Sequence, residues 1–468
     1  MGRQELGDWQ TPLDLAAAAL DVVVRRSRAP ATVVEPTCGK GAFLVAAKER
    51  FPRADLLGLE IDPRYAEAAR AALGSRRATV ETADFFDVDW EAKLRGLREP
   101  ILVAGNPPWV TSAVLGVLGS SNAPVKTNFK RMRGIDALTG KSNFDISEWM
   151  LLRLVEALQG RDATLAVLCK TAVARRVIEH AAARGWSLSP GALHRIDAHR
   201  HFRASVDAVL FVADVGGRAG PSTRWPVYET LEDGATRRSM ALVNGALVAD
   251  LPGLARTSHL AGSCEPEWRS GLKHDCARVM ELVLEGDELR NGLGERVDVE
   301  SEHVFPMLKS SDVANPGLER ATRAMIVPQR VLGEDTARLA RSAPRLFRYL
   351  TAHRALLRAR KSSIYRGQPD FAVFGVGPYT FAPWKVAVSG LYKRYDPVLL
   401  GPRGGKPVVL DDTCYFLPFG RESEARAVWR ALRSAPAREF FEARIFWDAK
   451  RPIKKAILQQ VDLDALLR

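Results

Sequence analysis

Over the first 215 residues, short aliphatic and β-branched runs alternate with longer stretches whose apolar positions fall at helical spacing. The runs lie at 31–36, 55–61, 78–84, 101–106, 164–169, 193–198 and 207–215, and the spacing predicts helices over Leu13–Arg26, Ala42–Arg50, Arg64–Leu73, Ile146–Leu158 and Ala172–Arg184. The runs are apolar throughout, without a polar residue at every second place. Strands of that kind belong to a parallel sheet whose two faces are both covered by helices. The pattern therefore predicts a doubly wound, three-layer α/β domain. One interruption, residues 111–145, is too long and too polar for an ordinary connection, and loops of that length are usually functional or disordered. The segment GGRAGPS (216–222) ends the alternation, since Gly, Pro and Ser continue neither strand nor helix. A boundary near Arg218 follows, with one domain over 1–218 and a second over 219–468. The second reads as mixed α+β, with helical pieces at 276–286 and 344–361 and a β-like piece at 408–419.

Composition narrows the function classes. With 468 residues and 46 % hydrophobic side chains the chain can build more than one core. Five cysteines, at 38, 169, 264, 276 and 414, form no CxxC pair, which speaks against a disulfide framework or a zinc ribbon. The sequence offers no signal-peptide pattern and no run of uncharged apolar residues long enough to cross a bilayer, so a cytoplasmic protein without a membrane partner is expected. The net charge is +13, with 29 basic and 25 acidic side chains in residues 1–215 against 39 and 30 in the remainder. An excess concentrated in the second half suits a polyanionic partner there.

Candidate chemistry sits at the carboxyl ends of the predicted strands, where open α/β sheets bind their ligands. The first strand runs into Glu35-Pro36-Thr37-Cys38-Gly39-Lys40-Gly41 and then a helix. Glycines in such a turn let the backbone approach a ligand, and the helix start offers free N–H groups. The second strand ends in Glu60-Ile61-Asp62, where a carboxylate can accept both ribose hydroxyls. No GxGxxG is present, which favours a nucleoside over a dinucleotide. At the end of the third strand, Asp84-Phe85-Phe86 offers a carboxylate for an adenine amino group and a ring for its face. Cys38 reads as a small side chain beneath the ligand. The fourth strand ends in Asn106-Pro107-Pro108-Trp109. Two prolines leave the carbonyls before them free of ladder bonds, so the Asn106 side-chain oxygen and the Pro107 carbonyl can grip both hydrogens of a planar amine while Trp109 stacks on its ring. His194, His199 and His201, like Cys264, His274 and Cys276, lack a matching ligand cluster. They read as solvated side chains, and no metal is expected.

Thr11-Pro12, EPTCGKGAFL, GLEID, ADFFD and NPPW, in that order, resemble the successive motifs of gamma-class amino-methyltransferases, which use S-adenosylmethionine to methylate N6 of adenine in DNA. The resemblance covers about the first 215 residues and implies a class I methyltransferase fold, a seven-stranded sheet whose last strand is antiparallel. It also implies roles. Thr11 and Pro12 close over the methionine part of the cofactor; Glu35, Pro36, Cys38, Gly39 and Gly41 line it; Glu60 with Ile61 holds the ribose, and Asp84 with Phe85 the adenine. Asn106, Pro107, Pro108 and Trp109 receive the target base, Asn106 also bordering the cofactor, and Phe202 packs on the base's opposite face.

In the second half, residues 305–418 more loosely resemble the target-recognition regions appended to such enzymes. Lys361, Tyr365, Arg366, Lys385, Lys393 and Arg394 interleave basic and aromatic side chains there, and with Lys126, Lys130 and Arg131 of the 111–145 segment they are the expected DNA contacts. The expectation is a site-specific adenine-N6 methyltransferase that flips its base out of duplex DNA and methylates it by direct displacement. It would be the modification component of a restriction–modification or related defence system, with a separately encoded endonuclease as partner. The alternatives are a methyltransferase acting on RNA or on a protein glutamine, and a non-catalytic nucleic-acid-binding protein that keeps the fold.

Overall fold

The computed structural model describes residues 10–26, 28–110, 145–217, 223–232, 238–243, 245–285, 288–315 and 322–468. The expected contacts Lys126, Lys130 and Arg131 lie outside them, as does nearly all of the 111–145 segment. The chain divides into two units, Met1–Leu251 and Pro252–Arg468.

The first unit is built as the hydrophobic pattern predicts. Helix α1 (Leu13–Arg26) buries Leu15, Ala16, Ala19, Leu20, Val22 and Val23 along one stripe, with Asp14 in its first turn and Arg25 and Arg26 in its last, where they suit the helix dipole. Strand β1 (Thr32–Glu35) is buried along its whole length and leads into α2 (Ala42–Arg50). Then follow β2 (Asp55–Glu60), α3 (Pro63–Leu73), β3 (Ala78–Thr82), α4 (Trp90–Arg95) and β4 (Ile101–Gly105). Asp62 caps α3 through the Arg64 N–H, Pro63 opens it and Gly74 closes it in a left-handed conformation. Beyond residue 144 come α5 (Ile146–Ala157), β5 (Ala163–Lys170), α6 (Thr171–Arg184), β6 (Leu188–Ile196), α7 (Ala198–Phe202) and β7 (Ala208–Val215). These strands order as β6-β7-β5-β4-β1-β2-β3, with β7 antiparallel to both neighbours and β4, β1, β2 and β3 parallel. This is the seven-stranded arrangement the resemblance implied.

The sheet does not stop there. Strands β8 (Arg224–Tyr228), β9 (Arg238–Val243) and β10 (Ala246–Val248) add to the edge beyond β6, making ten strands. The boundary expected near Arg218 is therefore corrected to Leu251. The join between β6 and β8 is tight: Trp225 is buried over Gly191, where a Cβ would lie 1.9 Å from the indole. His194, expected in solvent, is fully buried on β6, stacked on Tyr228 with ring centroids 4.6 Å apart and its Nδ1 3.1 Å from the Thr230 carbonyl oxygen.

The second unit holds two sheets. Strands β11 (Arg269–Ser270), β12 (Glu281–Glu285), β13 (Glu288–Asn291), β14 (Val304–Leu308), β15 (Arg323–Ile326), β16 (Trp384–Ser389), β17 (Val398–Leu400), β18 (Val409–Leu410) and β19 (Cys414–Phe419) form a five-stranded sheet, β13-β12-β15-β14-β18, and a four-stranded one, β11-β19-β16-β17. Leu308, Ala387, Leu410 and Phe416 share a core between them. The helix expected over 276–286 is corrected: only Ala277–Met280 is helical, and the chain then enters β12, which forms a hairpin with β13. Strand pairing outweighs local helix propensity there. The 344–361 stretch is helical over Pro344–Ala352 and Arg354–Arg358. Among the described residues, no helix is long and apolar enough to cross a membrane.

Lys385, expected at a DNA surface, is buried on β16, where its ammonium donates to the Ala382 carbonyl at 2.6 Å and lies 5.6 Å from the Phe416 ring centre. It is withdrawn from the DNA contacts for that reason. Burial pushes its pKa from the usual 10.5 to about 7. Above about pH 7 the unfolded chain binds a proton that the folded chain lacks, so the penalty is complete at and below that pH and fades as pH rises toward the ordinary lysine range. Lys385→Met is expected to stabilise this unit by a few kcal/mol near about pH 6, with the gain closing by about pH 10. Denaturant melts across this range check it, and a gain independent of pH would contradict the assignment.

Candidate active site

The carboxyl ends of β1, β2, β3 and β4 bring the expected residues to one edge of the first unit. Glu35 ends β1 and is buried, its carboxylate accepting the Leu44 N–H at 3.3 Å. This bond ties the strand to the first turn of α2. Desolvation raises its pKa well above the usual range, a rise opposed by main-chain hydrogen bonds from Leu44 and Phe43 and reinforced by Glu60. Glu60 ends β2, and its two oxygens accept from the Gly39 N–H at 2.7 Å and the Asp62 N–H at 2.9 Å. Burial raises its pKa too, against those same bonds. Two carboxylates held close together out of water, with donors aimed at them, form an acidic cradle around the turn.

The turn itself needs glycine at position 39. Its φ is 52°, and a Cβ there would lie 2.7 Å from the Gln10 side-chain oxygen. Gln10, which sequence reasoning passed over, accepts the Lys40 N–H at 3.2 Å and so ties the chain just before Thr11-Pro12 to the turn. Cys38 is buried below, its thiol raised by desolvation and by Glu35 and Glu60, which keeps it protonated and unreactive. Pro36 is buried and Ile61 is 41 % exposed beside Glu60.

At the end of β3, Asp84 accepts the Phe86 N–H at 2.9 Å. Phe85, expected to offer its ring, is turned inward against Trp90 at 4.7 Å and Trp149 at 6.2 Å between ring centres. The half-buried ring is that of Phe86.

Strand β4 delivers Asn106-Pro107-Pro108-Trp109. Gly105 before it has φ 154°, and a Cβ there would lie 3.3 Å from Glu35 Cγ, so glycine is what lets this strand end pass against the acidic cradle. The side-chain oxygen of Asn106 is buried. Trp109 is held twice from the end of β5: its indole N–H donates to the Leu168 carbonyl at 3.3 Å, and its own carbonyl accepts from the Lys170 ammonium at 2.9 Å. That ammonium is also 2.6 Å from the carboxylate of Asp145, which is 4 % exposed and caps α5 through the Ser147 N–H. Beside it, Glu148 is paired with Arg176 at 2.5 Å. The Ile146 N–H donates to the Val110 carbonyl, so the chain leaves and re-enters the 111–144 segment at one place. Asp145 is legible locally only as the N-cap of α5; its pairing with Lys170 joins positions remote in sequence, and no local signal marks it.

Phe202 ends α7 and meets Trp109 edge to face, with centroids 5.1 Å apart and planes at 72°. Both rings are buried and in contact. Among the second-unit candidates, Lys361, Arg366, Lys393 and Arg394 are exposed and Tyr365 is half-buried.

No family model matches the chain. It is 41 % identical to the type II methyltransferase M.NspV of Nostoc sp. (strain ATCC 29411 / PCC 7524) over 469 residues, 99 % of this chain and 97 % of that one. Over 91 residues it is 40 % identical to the type II methyltransferase M.XamI of Xanthomonas campestris pv. amaranthicola, 19 % of this chain and 16 % of that one. Among solved structures it is similar to the type IIL restriction-modification enzyme MmeI, determined in complex with DNA, at a TM-score of 0.54 and 11 % identity, covering 98 % of this chain and 64 % of that one. At that identity the likeness shows the fold. The acidic cradle around a glycine turn lies within a full-length kinship to M.NspV, so the chain belongs to the type II methyltransferases, whose methyl donor is S-adenosylmethionine.

Proposed function

We propose that this methyltransferase modifies the exocyclic N6 of adenine in duplex DNA. The observation that carries the reading is the position of Asn106-Pro107-Pro108-Trp109: it follows β4, next to β1 in the sheet, and Gly105 leaves little room for a Cβ beside Glu35 of the cofactor cradle. Glu60 with Ile61 would hold the ribose, Asp84 and the Phe85 main chain the adenine, and Thr11, Pro12, Glu35, Pro36, Cys38, Gly39 and Gly41 the methionine part. S-adenosylmethionine supplies an electrophilic methyl group on a sulfonium centre.

The acceptor amine is a poor nucleophile because its lone pair is delocalised into the purine. The Asn106 side-chain oxygen and the Pro107 carbonyl accept its two N–H groups, which favours the pyramidal nitrogen of the displacement and stabilises the positive charge that develops on it. As the new C–N bond forms, the methyl group's C–S bond breaks with its electron pair passing to sulfur, which leaves as a neutral thioether, and the nitrogen sheds one proton to water. Trp109 gives the base an apolar surface, and Phe202 braces the indole edge-on. A base buried in a duplex cannot reach this site, so the substrate nucleotide is rotated out of the stack. Lys361, Tyr365, Arg366, Lys393 and Arg394 of the second unit would contact DNA, and a separately encoded endonuclease would cut the same sequence when it is unmodified.

The test is methyl transfer from labelled S-adenosylmethionine to genomic DNA, total RNA and protein lysate in parallel, followed by nucleoside analysis and mapping of the modified positions. N6-methyladenine confined to one short sequence is expected. Label on cytosine would overturn the choice of base, and label in RNA or protein with DNA blank would overturn the choice of substrate.

A further inference from the structure

A cationic feature lies in the second unit, outside the catalytic one. A cavity of about 470 Å³ opens among Asp275, Arg278, Ala359, Arg360, Lys361 and Ser362. One wall is strained: Asp275, not a glycine, has φ 50° and is held by an ion pair to Lys273 at 2.9 Å. Its charge is thereby matched.

The cations are not matched in the same way. Arg360 donates to the carbonyls of Leu357 and Ala372 at 2.7 Å and to those of Asp370 and His274 at 3.3 Å, while its guanidinium carbon lies 3.7 Å from the Tyr365 ring centre. Its donors are spent on neutral oxygens, and the carboxylate that acts on it, Asp275, does so through space and without a hydrogen bond. Tyr365 is fixed in turn by its hydroxyl, which donates to the Lys273 carbonyl at 3.2 Å. Arg278 and Lys361 are exposed and form no ion pair among the described residues, whereas Arg290, Arg345 and Arg358 of the same unit are each paired with acids. A rigid floor of fixed positive charge and two cations with open donors share one cavity, an arrangement that fits an anion.

We propose that this cavity seats a phosphodiester of the DNA strand, with Arg278 and Lys361 as its donors and Arg360 as a fixed charge beneath it. The inference rests on the proposal that DNA is the substrate. The volume exceeds what a lone phosphate needs and admits the adjoining sugar, which favours a strand over a free ion. A phosphate contact fixes register and carries no sequence information, so its loss weakens all duplexes alike.

The experiment measures binding of the full chain to a duplex carrying its methylated sequence and to an unrelated duplex, across salt concentrations, for the wild type and Arg278→Gln/Lys361→Gln. The expected result is an affinity loss of about tenfold on both duplexes and a log–log salt slope shallower by about one. The KM for DNA should rise in step with the lost affinity. Unchanged affinity and slope would overturn the proposal, as would a loss confined to one duplex, which would make these residues base readers. Inorganic phosphate alone is titrated as well; tight saturation lost in the variant, with DNA affinity unmoved, would assign the cavity to a free phosphate and overturn the strand assignment. A wild type that binds no duplex overturns the substrate reading and this inference together. Wild-type binding with an unaltered variant overturns this inference alone.

Discussion

Asn106→Ala is expected to lower methyl transfer by about 10²–10³-fold while leaving S-adenosylmethionine binding nearly unchanged, since one preorganised polar contact to developing charge contributes about 2.7–4 kcal/mol. The residues assigned to the cofactor's ribose and adenine stand at the carboxyl ends of β2 and β3, off the strand end that the substitution alters. Nor does it release Trp109, whose indole and carbonyl remain anchored to Leu168 and Lys170. A lost rate therefore reports the lost acceptor. Calorimetry with the cofactor and single-turnover transfer to DNA measure the two halves separately, and turnover within tenfold of wild type would remove Asn106 from the chemistry.

The second large effect is on the fold around the site. Lys170→Met leaves the carboxylate of Asp145, 4 % exposed, without its ammonium. An ion pair broken from one side costs on the order of 3 kcal/mol, because the surviving charge stays buried and uncompensated. Denaturant unfolding should show that loss, and Lys170→Met/Asp145→Asn should recover much of it by removing the stranded charge. Transfer should remain impaired in both, since the Trp109 carbonyl has lost its donor either way. A single variant as stable as wild type would show that the pair does not hold this loop.

Much of the first unit was legible because its signals are local. The stripe of Leu15, Ala19, Leu20 and Val23 defines α1, and the turns at Glu35–Gly41 and Glu60–Asp62 stand where an apolar run meets glycine or an acid. What escaped depends on partners far along the chain. Strand β8 reads poorly, with Pro226 in its middle, and only the hollow above Gly191 explains Trp225. Lys170 looks like any basic residue ending a strand until Asp145 is brought beside it. Lys385 was read from its charge, and the sequence cannot show that its ammonium turns inward to Ala382. Phe85 and Phe86 are adjacent and alike; packing against Trp90 decides which ring is hidden.

The three strands added to the sheet edge change how such enzymes can be recombined. A chimaera that exchanges the second unit by joining partner sequences at the Gly-Pro-Ser stretch would cut β8, β9 and β10 away from the catalytic unit. It would strip Trp225 from Gly191 and leave β6 as a raw edge, whose unpaired N–H and C=O groups invite aggregation. A join at Leu251 keeps the edge closed. Modular exchange of specificity in this chain therefore has its seam some thirty residues later than its composition advertises.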